Sequence, residues 1–175
     1  EEPITAKVLR IPIDANELVL PNNDLALDVS GHIFASGLRN TFDMAFDAED
    51  RLFGVENSGD HDDPEEMNWL REGRHYGFPW MAGGNTNRTM APGYDPMTDP
   101  LLNPGYPSAA TDFYYDASFP TGAQFFKEPV RNTGPDADRL RDPLTEGILD
   151  ATDEGLDMRT FTCHRSPLGL VFDTD

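Results

Sequence analysis

One short segment of the chain concentrates the side chains best suited to chemistry. Residues 56–68 carry six carboxylates directly after an apolar stretch that is typical of a strand. They are Glu56, Asp60, Asp62, Asp63, Glu65 and Glu66. Carboxylates this close repel one another unless water solvates them or a hard cation such as Ca²⁺ collects their oxygens. The spacing differs from the twelve-residue EF-hand loop, so a calcium site and a solvated acidic loop both stay open.

Arg39 and Asn40 form a second candidate site, because they follow another stretch that is typical of a strand. The guanidinium of an arginine is a planar fork that pairs with carboxylates through two hydrogen bonds, and an asparagine adds a donor and an acceptor beside it. An anionic ligand would suit this pair. A plain ion pair between Arg39 and one of the many acidic residues remains the alternative.

The other reactive residue types show no spacing of a known catalytic motif. The four histidines are scattered and form no HExxH pattern, and GxGxxG, P-loop and GxSxG motifs are absent from the sequence. Cys163 is the single cysteine, which excludes an intrachain disulfide and multi-cysteine zinc patterns. The residue types alone therefore name no catalytic residue.

Charge limits the classes of partner. Thirteen basic and 32 acidic side chains give a formal net charge of -19, which repels nucleic acid and anionic membrane surfaces. No apolar run approaches the roughly 18 residues that a membrane span requires. We therefore expect neither nucleic-acid binding nor membrane insertion.

A repeated strand, turn and strand pattern must position these candidate sites. It occurs at residues 25–35 and 44–54, each time with an Asp-led turn, and it starts again at 170–175. The 15 glycines and 15 prolines, spread along the chain, argue against long helices. Serial hairpins are typical of antiparallel all-β folds, including propellers with four-stranded blades. The third copy stops before its return strand, so we expect the chain to be part of a longer polypeptide.

The organisation along the chain follows from this pattern. Residues 1–80 hold the blade hairpins with the candidate sites, and residues 161–175 begin a further blade. Between them, Pro, Gly, Asn and Asp dominate and the apolar periodicity fades, which predicts a long loop insertion at 81–160 within a single partial domain.

Five phrases in order give the chain a family resemblance. They are AKVLRI (6–11), GLRN (37–40), MAFD (44–47), DDPEEMN (62–68) and GRHYGFPW (73–80). In these phrases the chain resembles the glucose/sorbosone dehydrogenases, whose members have a KVLR-like strand, GLRNP, a hairpin with small-apolar-Phe-Asp, DDEIN and NYGWP in this order. A later phrase, HRSPLGL (164–170), is similar to one that opens a late blade.

This resemblance implies a fragment of a six-bladed β-propeller and a soluble aldose sugar dehydrogenase that depends on pyrroloquinoline quinone (PQQ). The implied reaction oxidises an aldose at its anomeric carbon to the lactone, with hydride passing to PQQ, polarised by calcium, and electrons leaving to an external acceptor such as a cytochrome or quinone. The implied location is periplasmic or secreted. Two alternatives stay open: a non-catalytic, calcium-stabilised binding propeller and a calcium-dependent propeller lactonase.

The resemblance also implies roles for individual residues. Arg39 and Asn40 would bind PQQ, and the main-chain carbonyls of Ser58 and Gly59 would hold the calcium of the cofactor. Further structural calcium is implied at three residues, Asp63, Glu66 and Tyr76. The catalytic histidine of the family and its aspartate partner belong to an upstream blade, so no catalytic residue is assigned within this chain.

Overall fold

The computed structural model describes residues 5–59, 61–87, 93–95, 98–99, 126–133, 139–141, 148–155 and 158–173. Their order is β1 (Lys7–Leu9), α1 (Asp24–Val29), β2 (Ile33–Ser36), β3 (Thr41–Phe46), β4 (Leu52–Glu56), β5 (Glu66–Leu70), β6 (Arg74–His75), β7 (Met81–Ala82), β8 (Asn85–Thr86), β9 (Arg139–Arg141) and β10 (Ile148–Asp150). The all-β prediction is confirmed, and small sheets of this kind fit a propeller fragment. The largest sheets in the described part have three strands, so no complete four-stranded blade is seen there.

Strands β3, β4 and β5 form an antiparallel meander that confirms the second predicted hairpin. Its turn is built as the sequence predicts: the Asp47 carboxylate accepts the main-chain N–H groups of Glu49 and Arg51 at 3.0 and 2.9 Å. Asp50 takes the left-handed conformation with φ of 59°. This meander places the last residue of β4 directly opposite the first residue of β5.

A second sheet packs beside the meander. Strand β2 pairs antiparallel with β1 and parallel with the short strand β6. Ala35, Leu38, Leu70 and Tyr76 form the buried core between the two sheets. Because Leu70 ends β5 and Tyr76 follows β6, this core fixes the chain immediately after the acidic segment.

The first predicted hairpin is wrong over its first half. Residues 24–29 form helix α1, and only Ile33–Ser36 is a strand. The alternating Leu25, Leu27 and Val29 resemble a strand, but only Leu27 is buried. The Asn23 side chain caps the helix by accepting the main-chain N–H of Ala26 at 3.0 Å, so a local cap decides the conformation. This described helix has six residues, far fewer than the roughly 20 of a membrane-spanning helix.

The remaining segments also differ in part from expectation. Residues 165–173 contain no strand, so the predicted third hairpin copy does not begin as one. That segment still packs on the meander, because Leu170 donates its N–H to Asp43 and the Phe172 ring lies 5.1 Å from that of Phe53. Two short hairpins, β7–β8 and β9–β10, lie inside the predicted loop region.

Candidate functional site

Two buried carboxylates face each other at one end of the meander. Glu56 ends β4 and Glu66 begins β5, and the two are directly paired in register. Their residues are only 5% and 7% exposed, and the neighbouring Asp63 is 7% exposed. Acidic side chains are almost never buried unless a partner compensates their charge. This carboxylate pair is therefore the most unusual feature of the acidic segment.

Specific hydrogen bonds hold each carboxylate of the pair. Glu56 accepts the Thr41 hydroxyl at 2.8 Å and the main-chain N–H of Arg39 at 3.1 Å. Glu66 accepts the Asn68 side-chain amide at 2.9 Å and the main-chain N–H of Gly84 at 3.1 Å. The carboxyl groups are thus fixed in place by β3, β5 and the β7–β8 turn.

Burial and mutual repulsion perturb both groups. Burial, followed by the negative charge of Glu66, raises the pKa of Glu56 to about 8. Burial also raises the pKa of Glu66, and the charge of Asp63 adds to that effect. Both perturbations favour neutral carboxyl groups unless a positive charge is present, so the pair is suited to holding a cation.

Further oxygen atoms near the pair have no hydrogen-bond partner among the residues that the structure describes. They are Asn57 Oδ1, Ser58 Oγ and Asn68 Oδ1, and Asn68 is fully buried. Glu56, Asn57, Ser58 and Glu66 line a cavity with a volume of about 10 Å³, enough for about one water molecule or ion and too small for an organic cofactor. Carboxylate and neutral oxygens are the ligands that Ca²⁺ prefers. The donor set therefore fits a hard divalent cation.

Arg39 also lines this cavity. Its Nη1 donates to the main-chain carbonyls of Asn57 at 3.1 Å and Ser58 at 2.8 Å. Gly59 lies beside the guanidinium, since a Cβ built there would be 3.7 Å from Arg39 Nε. The structure therefore brings together Arg39, Ser58 and Gly59. The side chain of Arg39 itself is exposed.

Asn40 is exposed and lies next to Arg39 at a second cavity, of about 310 Å³, which both residues line together with Lys7 and Leu9. Its main-chain carbonyl accepts the N–H of Asn57 at 3.3 Å, which ties the start of β3 to the end of β4. Arg39 borders both cavities and Asn40 borders the larger one, and the predicted PQQ-binding role of the two residues stays a prediction.

The hydroxyl of Tyr76 is hydrogen-bonded to the main chain at the end of β5. It donates to the Trp69 carbonyl at 2.5 Å and accepts the Arg71 N–H at 2.9 Å. The residue lines the small cavity beside Glu66. Since the phenol oxygen is already bonded to two main-chain groups, the main-chain carbonyl of Tyr76 is the better candidate for a cation ligand.

A conservative substitution separates the structural role of the Tyr76 hydroxyl from cation binding by the Tyr76 carbonyl. We expect Tyr76→Phe to lower the free energy of unfolding by about 1–3 kcal/mol, because two buried main-chain groups lose their partner. Calcium affinity, measured by isothermal titration calorimetry, should stay within about twofold because the main-chain carbonyl is retained. A large loss of calcium affinity in the folded variant would instead make the phenol oxygen a ligand.

The interpretation of residues 56–68 as a solvated loop is wrong. His61, Asp62, Asp63 and Glu65 are all less than 9% exposed. Tertiary partners explain the burial: His61 contacts Asp99 at 2.8 Å, and Glu65 accepts the main-chain N–H of Arg165 at 3.0 Å. The sequence analysis did not single out Glu56, Asn57 and Asn68 as candidate cation ligands. The feature of the sequence that indicates them is the density of oxygen-bearing side chains around a strand end.

The chain was compared with known proteins by sequence and by structure. A family model described as glucose/sorbosone dehydrogenase matches residues 5–127. A similar solved structure is the PQQ-bound form of aldose sugar dehydrogenase (Adh) from Streptomyces coelicolor, with 28% identity and a TM-score of 0.33. The match covers 45% of this chain and 21% of the other. No curated protein matches the chain.

Proposed function

Because this chain belongs to the glucose/sorbosone dehydrogenase family, we propose that it forms part of a PQQ-dependent dehydrogenase that oxidises an aldose at its anomeric carbon to the lactone. The substrate class is a small sugar, and the electrons pass to an external acceptor. The chain spans about a fifth of the length of the similar solved structure, and the activity proposed is that of the full-length protein.

The observation that carries this proposal is the position of Arg39. Arg39 is exposed and lines a small, oxygen-rich cavity that fits a divalent cation. An anionic cofactor bound by Arg39 would lie next to this cation site, so both positive charges would attract it. Nη1 of Arg39 donates to two main-chain carbonyls. The Nε and Nη2 atoms form the other edge of the guanidinium, which can pair with a carboxylate through two hydrogen bonds.

The residues present fit calcium and one end of PQQ. Arg39 would bind a cofactor carboxylate, and the carbonyls of Ser58 and Gly59 would face the calcium of the cofactor. When bound, PQQ accepts hydride, and calcium acts as the Lewis acid that makes it more electrophilic. This chain would orient the cofactor and place the positive charges of Arg39 and calcium next to it.

The buried pair supports a second, structural calcium. Glu66, Asp63 and the carbonyl of Tyr76 would hold it. Glu56 and Asn68 join this predicted set, because both are buried, Glu56 lines the cavity and Asn68 is hydrogen-bonded to Glu66. Calcium would keep Glu56 and Glu66 ionised, since a bound cation offsets both burial and repulsion. This calcium would lock β4 to β5 directly behind Arg39.

The test is dye-linked oxidation of a panel of aldoses by the full-length protein containing this chain. Activity should require both added PQQ and calcium and should disappear on chelation. Arg39→Ala should weaken PQQ binding and lower kcat/KM by about 10- to 100-fold, the effect of losing a charge-assisted hydrogen bond.

Arg10→Ala is the matched control for the loss of an arginine. Arg10 is exposed, follows β1 and forms an ion pair with Glu72 in the turn between β5 and β6. Its loss should therefore leave kcat/KM nearly unchanged. Sugar oxidation that persists without PQQ would contradict the proposal. Absence of both activity and PQQ binding would instead favour the calcium-stabilised binding propeller or the lactonase.

A further inference from the structure

A second group of possible metal ligands lies where the acidic segment meets the C-terminal segment. Glu65 and Phe161 exchange main-chain hydrogen bonds at 3.1 and 2.9 Å, and Glu65 also accepts the N–H of Arg165 at 3.0 Å. These contacts join two stretches that are about 100 residues apart in sequence. The side chains near this crossing are therefore held in a fixed arrangement by the backbone.

Asp62, Cys163 and His164 converge at this crossing. One ligand atom from each residue lies within 4.8 Å of the other two. His164 Nε2 contacts Asp62 Oδ1 at 2.8 Å, with the Asp62 side chain 5% exposed and that of His164 26% exposed. Cys163 is half-buried. The group therefore combines a thiol, an imidazole and a carboxylate at the edge of the protein interior.

We propose that Asp62, Cys163 and His164 form a binding site for a zinc-class divalent cation. Sulfur, imidazole and carboxylate ligands together suit Zn²⁺, while Ca²⁺ is bound by oxygen alone. Three protein ligands leave a fourth tetrahedral position for water or another donor. This set differs in chemistry from the all-oxygen site around Glu56 and Glu66, so the two sites select different ions.

The geometry requires only small side-chain movements. Metal–ligand bonds of about 2.0–2.3 Å in a tetrahedral arrangement place ligand atoms about 3.3–3.8 Å apart. The Asp62–His164 contact at 2.8 Å would open slightly as a cation replaces the shared proton, and the remaining separations, at most 4.8 Å, would close. Binding would release protons from the thiol and from any imidazolium.

The site would act as a staple between distant parts of the chain. Asp62 precedes the ligand Asp63 of the predicted calcium site, and His164 lies at the start of the segment that packs on the meander. A cation with ligands from both segments would hold them together. It would stabilise the folded protein, because the ligands are far apart in the unfolded chain.

An ordinary ion pair is the competing explanation. A hydrogen-bonded pair of His164 and Asp62 does not require a cysteine. Participation of Cys163 in metal binding therefore distinguishes a metal site from an ion pair. The full-length protein is stripped of metal by chelation and titrated with Co²⁺, which reports thiolate ligation by a charge-transfer absorption. The assay measures metal binding alone and needs neither PQQ nor sugar, so it is independent of the proposed activity.

We expect one Co²⁺ site with thiolate charge-transfer absorption, displaced by Zn²⁺ and retained in excess Ca²⁺. Cys163→Ser should abolish the absorption, and His164→Gln should weaken Co²⁺ binding at least 100-fold, beyond the about 10- to 100-fold effect of outer-sphere partners. Zn²⁺ should raise the Tm of the wild type but not that of Cys163→Ser.

His32→Gln is the control for the loss of a histidine. His32 is partly exposed and contacts the Arg10 carbonyl at the end of the β1–β2 pair, away from the proposed ligands. Its loss should therefore leave the Co²⁺ spectrum unchanged. Absorption that is absent from the wild type, or equal in Cys163→Ser and the wild type, would overturn the proposal and leave a His–Asp ion pair.

Discussion

In the presence of a chelator, the protein should lose about 3–5 kcal/mol of stability as the pH rises from about 5 to about 8. The cause is Glu56, whose pKa is raised from 4.5 to about 8 in the folded state. Each unit of difference between the folded and unfolded pKa corresponds to about 1.4 kcal/mol. Denaturant unfolding at several pH values, with and without calcium, measures the effect.

The sign follows from the two protonation states. Above its unfolded pKa of 4.5, the unfolded chain ionises Glu56 freely, while the folded protein keeps the group protonated until about 8. The unfolded state is therefore favoured increasingly through this window, and the loss is complete above it. Calcium should reverse the trend, because a cation stabilises the ionised pair most where the carboxylates have lost their protons.

Glu56→Gln isolates the charge from the hydrogen bonds. The amide can still accept the Arg39 N–H and can donate to the Thr41 hydroxyl, which serves as donor or acceptor. We expect a flatter pH profile in chelator and loss of most of the calcium-dependent stabilisation. Glu49→Gln, at an exposed turn position, is the matched control and should leave both unchanged. A wild-type profile in Glu56→Gln would contradict the buried-carboxylate explanation.

Gly37→Ala should destabilise the protein by about 2–5 kcal/mol. Gly37 has φ of 72°, a conformation that costs an alanine about 1–2 kcal/mol. An added Cβ would also overlap the His75 ring and would lie 2.8 Å from the Gly77 nitrogen. Overpacking of this kind costs about 1–3 kcal/mol more. The His75 ring cannot move aside easily, because it packs against Trp80 and Phe126 with centroids 5.8 and 4.9 Å away.

Gly31→Ala separates conformational strain from overlap. Gly31 has nearly the same φ, 74°, but an added Cβ there would meet no atom within 4 Å. We expect this variant to lose only the strain component of about 1–2 kcal/mol. Thermal and denaturant unfolding of both variants measures the difference. Equal losses would show that the contact of Gly37 with the loop after β6 contributes nothing.

Sequence reasoning located the site but resolved its parts incompletely. Arg39, Ser58 and Gly59 were predicted together and lie together, as do Glu66 and Asp63. Asn40 lines the larger cavity together with Arg39, and Arg39 also lines the small cavity beside Glu66. The metal roles predicted for these residues stay predictions.

Local chemistry decided some elements against the apolar pattern. Residues 25–29 alternate like a strand, yet the Asn23 cap makes them a helix. Residues 44–54 follow the prediction because alternation, the Asp47 turn and cross-strand pairing all favour the same hairpin. Agreement among such signals separated the correct hairpin prediction from the wrong one.

The sequence by itself determined the all-β character, the family and the concentration of oxygen ligands around residues 56–68. These depend on residue types and short phrases, which are local properties of the chain. Only the tertiary structure decided that Glu56 faces Glu66, that the acidic segment is buried, and that Cys163 and His164 reach Asp62. Burial and contacts between residues 100 positions apart depend on how sheets and segments pack, and that packing sets the pKa of each carboxyl group.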